Sequence, residues 1–296
     1  MPFATRARFD WRLRTRTLSL GPRTLVMGIL NVTPDSFSDG GQFLSTEAGL
    51  AHALEMLDDG ADILDLGGES TRPNAMPTSP VEEQARVIPV LRAILAVRPD
   101  TILSIDTHHA ETARLAVEIG VEIVNDVSGH LWDAAMSSAC AELGCGAVLM
   151  HTRGRPQEWR TLPALAAGEV LPMVLEGLES RAQAALAAGI ARDSIVLDPG
   201  FGFGKAFDEN YPLLAQLDQL HTLGFPILAG VSRKGFLSRA AAVGLADPVA
   251  RTTAANTAAV LAGAHILRVH DVRPAREAVA IADRILGAGV VPYTSA

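Results

Sequence analysis

A chain of 296 residues with 48% hydrophobic and 20% charged content is too apolar for a disordered protein, and its length suits a β/α barrel of roughly 250 residues plus an extension. Its net charge of −8 excludes general nucleic-acid binding, which shows a basic surplus, although local cations still decide contacts to anionic substrates. No apolar run approaches the ~20 residues of a membrane span, and the two cysteines, Cys140 and Cys145, lack metal-type spacing and suit a reducing cytoplasm.

The chain opens with Arg6, Arg8, Arg12, Arg14 and Arg16, but no apolar signal core follows them, so a secretory leader is not expected. Phe9, Trp11 and Leu13 alternate with polar residues at the period of a half-buried strand. With Thr17 to Leu20 and the Gly21-Pro22 break they predict a hairpin over residues 1–22 that closes the lower end of a barrel. Parallel strands are then expected at Leu25–Leu30, Asp62–Leu66, Ile102–Asp106, Glu122–Asp126, Ala147–His151, Ile195–Asp198, Pro226–Val231 and Ile266–His270. They are continuously apolar, as strands covered on both faces must be. Helical patterns alternate with them: Thr46–Asp59, Val81–Val97, Ala110–Ile119, Ala134–Leu143, Glu169–Ala188, Asn210–Leu223, Pro248–Ala262 and Pro274–Leu286. Eight such units predict a single (β/α)8 TIM barrel over residues 23–289, followed by a short tail at 290–296.

Each strand ends in a polar residue: Asn31, Glu69 to Arg72, Asp106, Asn125, His151, Asp198, Lys234 and the Arg268/His270 pair. A barrel brings all these ends to one mouth, where catalytic groups sit. Long polar connections follow the first, second and fifth strands, and loops of that length above a barrel contact substrate or cover it.

The run Asp198-Pro199-Gly200-Phe201-Gly202-Phe203-Gly204-Lys205 is not a Walker A loop, because Pro199 and Ala206 stand where Gly and Ser/Thr are required. It reads instead as a carboxylate at a strand end beside a glycine loop presenting Phe201 and Phe203, suited to a flat heterocycle with N–H donors on one edge. Asp106 and Asn125-Asp126 add acceptors and an amide. Lys234, in Ser232-Arg233-Lys234, is poorly placed as a mere helix-opening cation. Alternation puts Arg268 and His270 on one side of the last strand, which predicts an anion site, with an internal salt bridge to an Asp as the competing reading. Adjacent His108 and His109 are expected to point apart, so no zinc site is expected. Magnesium, which needs few protein ligands, remains compatible.

Taken in order, Met27-Gly28-Ile29-Leu30-Asn31-Val32-Thr33-Pro34-Asp35-Ser36-Phe37, Asp65-Leu66-Gly67-Gly68-Glu69-Ser70-Thr71-Arg72-Pro73, Asn125-Asp126-Val127-Ser128-Gly129, the Asp198 loop, Ser232-Arg233-Lys234 and Arg268-Val269-His270-Asp271 resemble the dihydropteroate synthase family over nearly the whole chain. The resemblance implies a transferase of folate biosynthesis and sulfonamide target. It would join 6-hydroxymethyl-7,8-dihydropterin diphosphate to 4-aminobenzoate and release pyrophosphate. It implies that Asp106, Asn125, Asp198 and Lys234 hold the pterin, with Met150 and Gly230 as packing neighbours. Asn31 would bind Mg²⁺, and Arg268 and His270 the diphosphate. Thr71, Arg72, Pro73, Phe37, Phe203 and Ser232 would form or close the aminobenzoate site. Lys234, Arg268, His270, Asp35 and Arg72 are the implied catalytic set. A cytoplasmic homodimer is implied too, with Ala254–Ala264 as a plausible contact.

Three positions depart from the family pattern: Gly235 replaces a common hydroxyl residue after Lys234, and Asn74 and His108-His109 also differ. The competing functions are a pterin-dependent methyltransferase and a non-catalytic pterin-binding paralogue. The intact first loop and the Arg268/His270 pair favour the synthase.

Overall fold

The computed structural model describes residues 6–32, 41–69, 78–239 and 247–288. Two short antiparallel strands, β1 (Phe9–Arg12) and β2 (Thr17–Leu20), form the expected hairpin. Eight parallel strands follow: β3 (Leu25–Asn31), β4 (Ile63–Gly67), β5 (Leu103–Asp106), β6 (Ile123–Asp126), β7 (Gly146–Met150), β8 (Ile195–Asp198), β9 (Leu228–Ala229) and β10 (Ile266–Val269). Their spatial order is β8-β7-β6-β5-β4-β3-β10-β9. A parallel bridge from Leu197 to Ile227, just before β9, closes the ring. This is a TIM barrel.

The helices lie between the strands: α1 (Gly41–Asp58), α2 (Pro80–Val97), α3 (Ala110–Glu118), α4 (Met136–Leu143), α5 (Ala167–Ala187), α6 (Asn210–Ala215), α7 (Gly235–Arg239), α8 (Pro248–Leu261) and α9 (Val272–Ala288). Local chemistry sets their starts. Ser79 and Glu82 form a reciprocal capping box on α2, with Pro80 as its first residue, and Asp247 caps α8 ahead of Pro248.

The first helix begins at Gly41, five residues ahead of the expected Thr46, and two further elements are cut short or broken. The seventh strand is reduced to Leu228–Ala229, because the chain turns at Val231, whose carbonyl accepts from Lys234 N. The helix expected over Asn210–Leu223 breaks at Gln216 (φ −117°, ψ 23°) and continues as a 3-10 turn over Leu217–Leu223.

Strand alternation sorts the residues into two cores. Side chains such as Val26, Leu64, Leu66, Leu103, Ile105, Val124, Leu149, Leu197 and Leu267 point outward and pack under the helices. The inward row starts apolar at the bottom of the barrel: Leu25, Met27, Ile63, Ile123, Val148, Val196, Leu228 and Ile266 join Trp11, Leu13 and Leu20 of the hairpin. Trp11 is fully buried and its indole N–H donates to the Ser194 carbonyl at 3.0 Å. Gly146 is required beside it, since a Cβ there would lie 2.6 Å from Leu13 Cδ2 and 3.2 Å from the indole. Among the described residues no helix is long and apolar enough to cross a membrane.

Candidate functional site

Two or four residues further along the same inward rows, the side chains become polar. In-register pairing places Asn31 beside Gly67, Gly67 beside Asp106 and Asp106 beside Asn125. Gly67 leaves a gap in this rim: a Cβ there would stand 3.6 Å from Asp106 Oδ2 and 3.7 Å from Asn31 Oδ1. Across the ring Asp198 ends β8, Gly230 follows β9 and Arg268 lies on β10. A Cβ on Gly230 would be 3.8 Å from Asp198 Oδ2 and 3.9 Å from Arg268 Cβ. The two glycines therefore keep side-chain bulk out of the space between the charged groups.

Arg268 organises the centre. Its Nε donates to Asp65 Oδ2 at 2.6 Å and its Nη2 to Asp106 Oδ2 at 2.5 Å. Asn125 Nδ2 donates to the same Asp65 oxygen at 2.9 Å. Burial works against the guanidinium's charge, but Asp65 and Asp106 outweigh it and hold its pKa above the ordinary value. Burial drives Asp106 up to about 7, with Arg268 opposing. Asp198 is raised too, chiefly by burial, although Gly200 N donates to its Oδ1 at 2.7 Å. The competing reading of Arg268 as a salt-bridge residue is thus realised inside the pocket itself. Asp65, fully buried and with Oδ1 unpartnered among the described residues, belongs to this site although the strand-end pattern does not reach it. Its signal is a carboxylate in the middle of an otherwise apolar parallel strand.

Lys234 enters from the opposite wall. Arg233 takes the left-handed conformation (φ 54°), held by its N–H to Thr252 Oγ1 (3.1 Å) and its ion pair with Asp271 (2.5 Å). That turn aims the Lys234 ammonium over the Phe203 ring, 3.9 Å from its centre. Burial lowers the lysine to about 8, Arg268 adds to the effect, and Asp198 and Asp106 oppose it. Phe203, Met150 and Val127 form a small apolar cluster with Trp132 and Trp159 against it, a flat wall beside the carboxylates. Next to Phe203 and Lys234 a cavity of about 590 Å³ is lined by Trp159, Leu162, Phe207 and Gly235. Phe207 stands 3.2 Å from where a Gly235 Cβ would be, so any side chain there would press on that ring.

Between α1 and α9, a second cavity of about 380 Å³ is lined by Asn31, Arg233, His270, Asp271, the start of α9 and His52, Glu55, Met56 and Asp59 of α1. His270 Nδ1 is 3.0 Å from Ser232 Oγ, and Ser232 Oγ also accepts from His270 N at 3.2 Å. Burial lowers His270 to about 4, so the imidazole is neutral near pH 7. His270 lines the Asn31 cavity while Arg268 is tied to Asp65 and Asp106, and the two side chains remain close enough that Arg268 adds to the lowering of the His270 pKa. Ser232 is partnered with His270.

Several expected groups lie elsewhere. Phe201 is fully buried against Phe236, so only Phe203 is presented by the glycine loop. Asp126 points away from the mouth and accepts from Ser128 N and His130 N. His151, one residue beyond β7, packs against Gly177 of α5. Lys205 is buried, and its ammonium donates to the carbonyls of Gly200 (2.8 Å), His151 (3.2 Å) and Phe203 (3.4 Å), which makes it a tie for the glycine loop. His108 and His109 do not point apart: their ring centres are 4.1 Å apart and both reach Glu69. Asp35, Phe37, Thr71, Arg72 and Pro73 lie outside the described residues.

The family of pterin-binding enzymes matches residues 27–270. The dihydropteroate synthase of Escherichia coli K12 is 42% identical over 265 residues, 89% of this chain and 92% of that protein. The Xanthomonas albilineans dihydropteroate synthase solved with 4-aminobenzoic acid superposes with a TM-score of 0.84 at 40% identity, covering 97% of this chain and all of the other. The Yersinia pestis dihydropteroate synthase in a sulfonamide drug complex gives 0.84 at 39% identity over 95% of this chain and 100% of that one. With the charged rim, the apolar wall and these relatives in agreement, the chain belongs to the dihydropteroate synthase family of pterin-binding enzymes.

Proposed function

We propose that this barrel divides the dihydropteroate synthase reaction between its two cavities and its apolar wall. The pterin lies across the barrel centre, its N–H edge toward Asp198, Asp106 and Asn125 and its carbonyl toward Lys234. Buried carboxylates facing adjacent N–H donors recognise such an edge by geometry as well as charge. Met150 packs on the ring, and Gly67 and Gly230 leave room for it. The diphosphate extends toward Arg268, His270 and the cavity beside Asn31, next to the start of α9. The single observation that carries this reading is the convergence of Asp106, Asn125, Asp198 and Arg268 in one barrel mouth, with Lys234 aimed over Phe203 beside them.

Asn31 offers a hard amide oxygen at the rim of that cavity, which fits Mg²⁺ held by few protein ligands together with water and substrate phosphate. When bound, Mg²⁺ neutralises charge on the leaving diphosphate. The chain's own part is to align the methylene carbon, exclude water and favour positive charge on the pterin through Asp198. The C–O bond to diphosphate breaks in a dissociative, cation-like step. The neutral amine of 4-aminobenzoate, stacked at Phe203 near Lys234, then forms the new C–N bond and gives its proton to solvent. Ser232 acts through His270, while Asp35, Phe37, Thr71, Arg72 and Pro73 complete the arylamine side.

We read the chain as a cytoplasmic enzyme, where buried free Cys140 and Cys145 stay reduced. Residues 1–22 form an extension ahead of a barrel at 23–289, and the expected tail at 290–296 lies outside the described residues. It pairs as a homodimer through α8 and α9. Ala255, Ala259 and Ala264 are buried in their own chain, so the contact falls to the outward Ala254 and Ala258 and to exposed Ile281 and Ile285. Light scattering of the purified protein tests the dimer. Incubation with pterin diphosphate, 4-aminobenzoate and Mg²⁺ tests the reaction: dihydropteroate and pyrophosphate are expected in equal amounts, and pterin binding without turnover would overturn it.

A further inference from the structure

Outside the groups assigned above, three metal-ligating side chains meet where β4 and β5 end. Glu69 lies two residues past Gly67 and His108 two residues past Asp106, and Gly67 and Asp106 are register partners, so the topology makes Glu69 and His108 neighbours. His109 joins them because Thr107 bends the chain. Its hydroxyl accepts from His109 N at 3.0 Å and donates to buried Glu83 at 2.8 Å, which puts both imidazoles on one side.

The resulting distances are short. His108 Nδ1 is 3.6 Å and His109 Nε2 3.9 Å from the same oxygen, Glu69 Oε2. One ligand atom from each of the three lies within 4.8 Å of the others. The carbonyl of Thr78 is 3.2 Å from His109 Nε2, while Thr78 N donates to the other Glu69 oxygen at 3.2 Å. The surroundings fix the ligands. Trp132 packs edge-on against His108, with centres 5.1 Å apart, and Asp133 is held nearby by Ala110 N. The side chains are 17–20% exposed, so an ion can enter yet would lose most of its water.

We infer that Glu69, His108 and His109 form a binding site for a divalent late transition metal of the Zn²⁺ class, with the Thr78 carbonyl as an additional oxygen donor. Two imidazoles and one carboxylate are a borderline-soft set that suits Zn²⁺ or Co²⁺ and is a poor match for Mg²⁺, which prefers oxygen. Tetrahedral zinc with bonds of ~2.0–2.2 Å has ligand–ligand edges of roughly 3.4 Å, so small side-chain rotations bring the three onto one ion. His109 exchanges its Nε2–H bond to Thr78 for the metal and carries its proton on Nδ1. The ion then ties the ends of β4 and β5 to the segment leading into α2. This site is separate in residues and in donor chemistry from the oxygen ligand offered by Asn31.

Co²⁺ titration in excess Mg²⁺ tests the assignment, because Mg²⁺ occupies oxygen sites and the Co²⁺ spectrum reports coordination. The full-length protein should bind a single equivalent with intense four-coordinate d–d bands that Zn²⁺ abolishes. The double variant His108→Ala/His109→Ala should bind at least ~100-fold more weakly and lose those bands. Glu69→Gln, nearly isosteric, should show the same direction of loss and serves as the readout if the double variant fails to fold. Equal affinity in the variants, or a weak six-coordinate spectrum in the unaltered protein, would reduce the cluster to an ion-pair group and overturn the proposal.

Discussion

The two ends of the barrel interior are built by the same strands and hold opposite chemistries. At the bottom, Met27, Ile63, Ile123, Val148 and Ile266 close on Trp11. At the top, the same inward rows continue as Asn31, Asp65, Asn125, Met150 and Arg268. The lower layer excludes water and gains free energy from area removed from it, about 25 cal/mol per Å². The upper layer keeps carboxylates and cations half-dehydrated against one another, an arrangement that often adds little stability relative to apolar residues of the same volume. The difference separates the tasks: the hairpin end holds the barrel together, and the mouth accepts electrostatic strain for recognition.

That contrast can be broken most directly at Trp11. Trp11→Ala should cost about 3–5 kcal/mol in denaturant unfolding, through cavity formation and loss of the indole bond to Ser194, while the folded fraction keeps its pterin affinity. A variant of near-normal stability with poor binding would invert the assignment of the two ends. Next comes Glu83, fully buried under the mouth, which burial raises to about 7. A folded carboxyl raised above its unfolded value of 4.5 retains its proton longer, so stability falls as pH rises from ~4.5 through ~7. Glu83→Gln should match the unaltered protein at pH 4.5 and exceed it by up to about 3 kcal/mol at pH 8, read from melts at both pH values.

At the mouth itself, Asp198→Asn should lower pterin affinity by about 1.5–3 kcal/mol in calorimetry, because a charge-assisted acceptor for N–H donors becomes a mixed donor and acceptor. Its melting temperature should change little or rise, since the pKa of Asp198 is already raised by burial. A large loss of stability would mean that the upper layer is structural after all. The smallest effect is expected at Gly235→Ala, whose Cβ would press on Phe207 at 3.2 Å. We expect less than about 1 kcal/mol in stability, with a raised KM for 4-aminobenzoate and unchanged pterin binding.

Much of this was legible in the residues. The eight apolar runs, their polar ends and the alternation of Phe9, Trp11 and Leu13 mark strands, mouth and plug, because each depends on local spacing alone. What stayed hidden depends on direction in space. Asp65 looks like one more residue of a buried strand until register places it against Asn125 and Arg268. Phe201 and Phe203 read alike, yet only the latter reaches the wall, since the glycine loop's turn sends Phe201 into the helical layer. Strand alternation brings Arg268 and His270 to one end of β10, but it does not show that Arg268 is already paired with Asp65 and Asp106 there.

The sequence by itself determined the barrel, the plug at its base and the set of groups collected at its mouth, because period-two burial and strand–helix alternation follow from local sterics and hydrophobicity. Only the tertiary structure decided which of those groups touch: Arg268 between Asp65 and Asp106, Lys234 over Phe203, and Glu69 beside His108 and His109. Those contacts join residues tens to hundreds of positions apart, and their geometry is set by strand register and barrel closure, which no local pattern encodes.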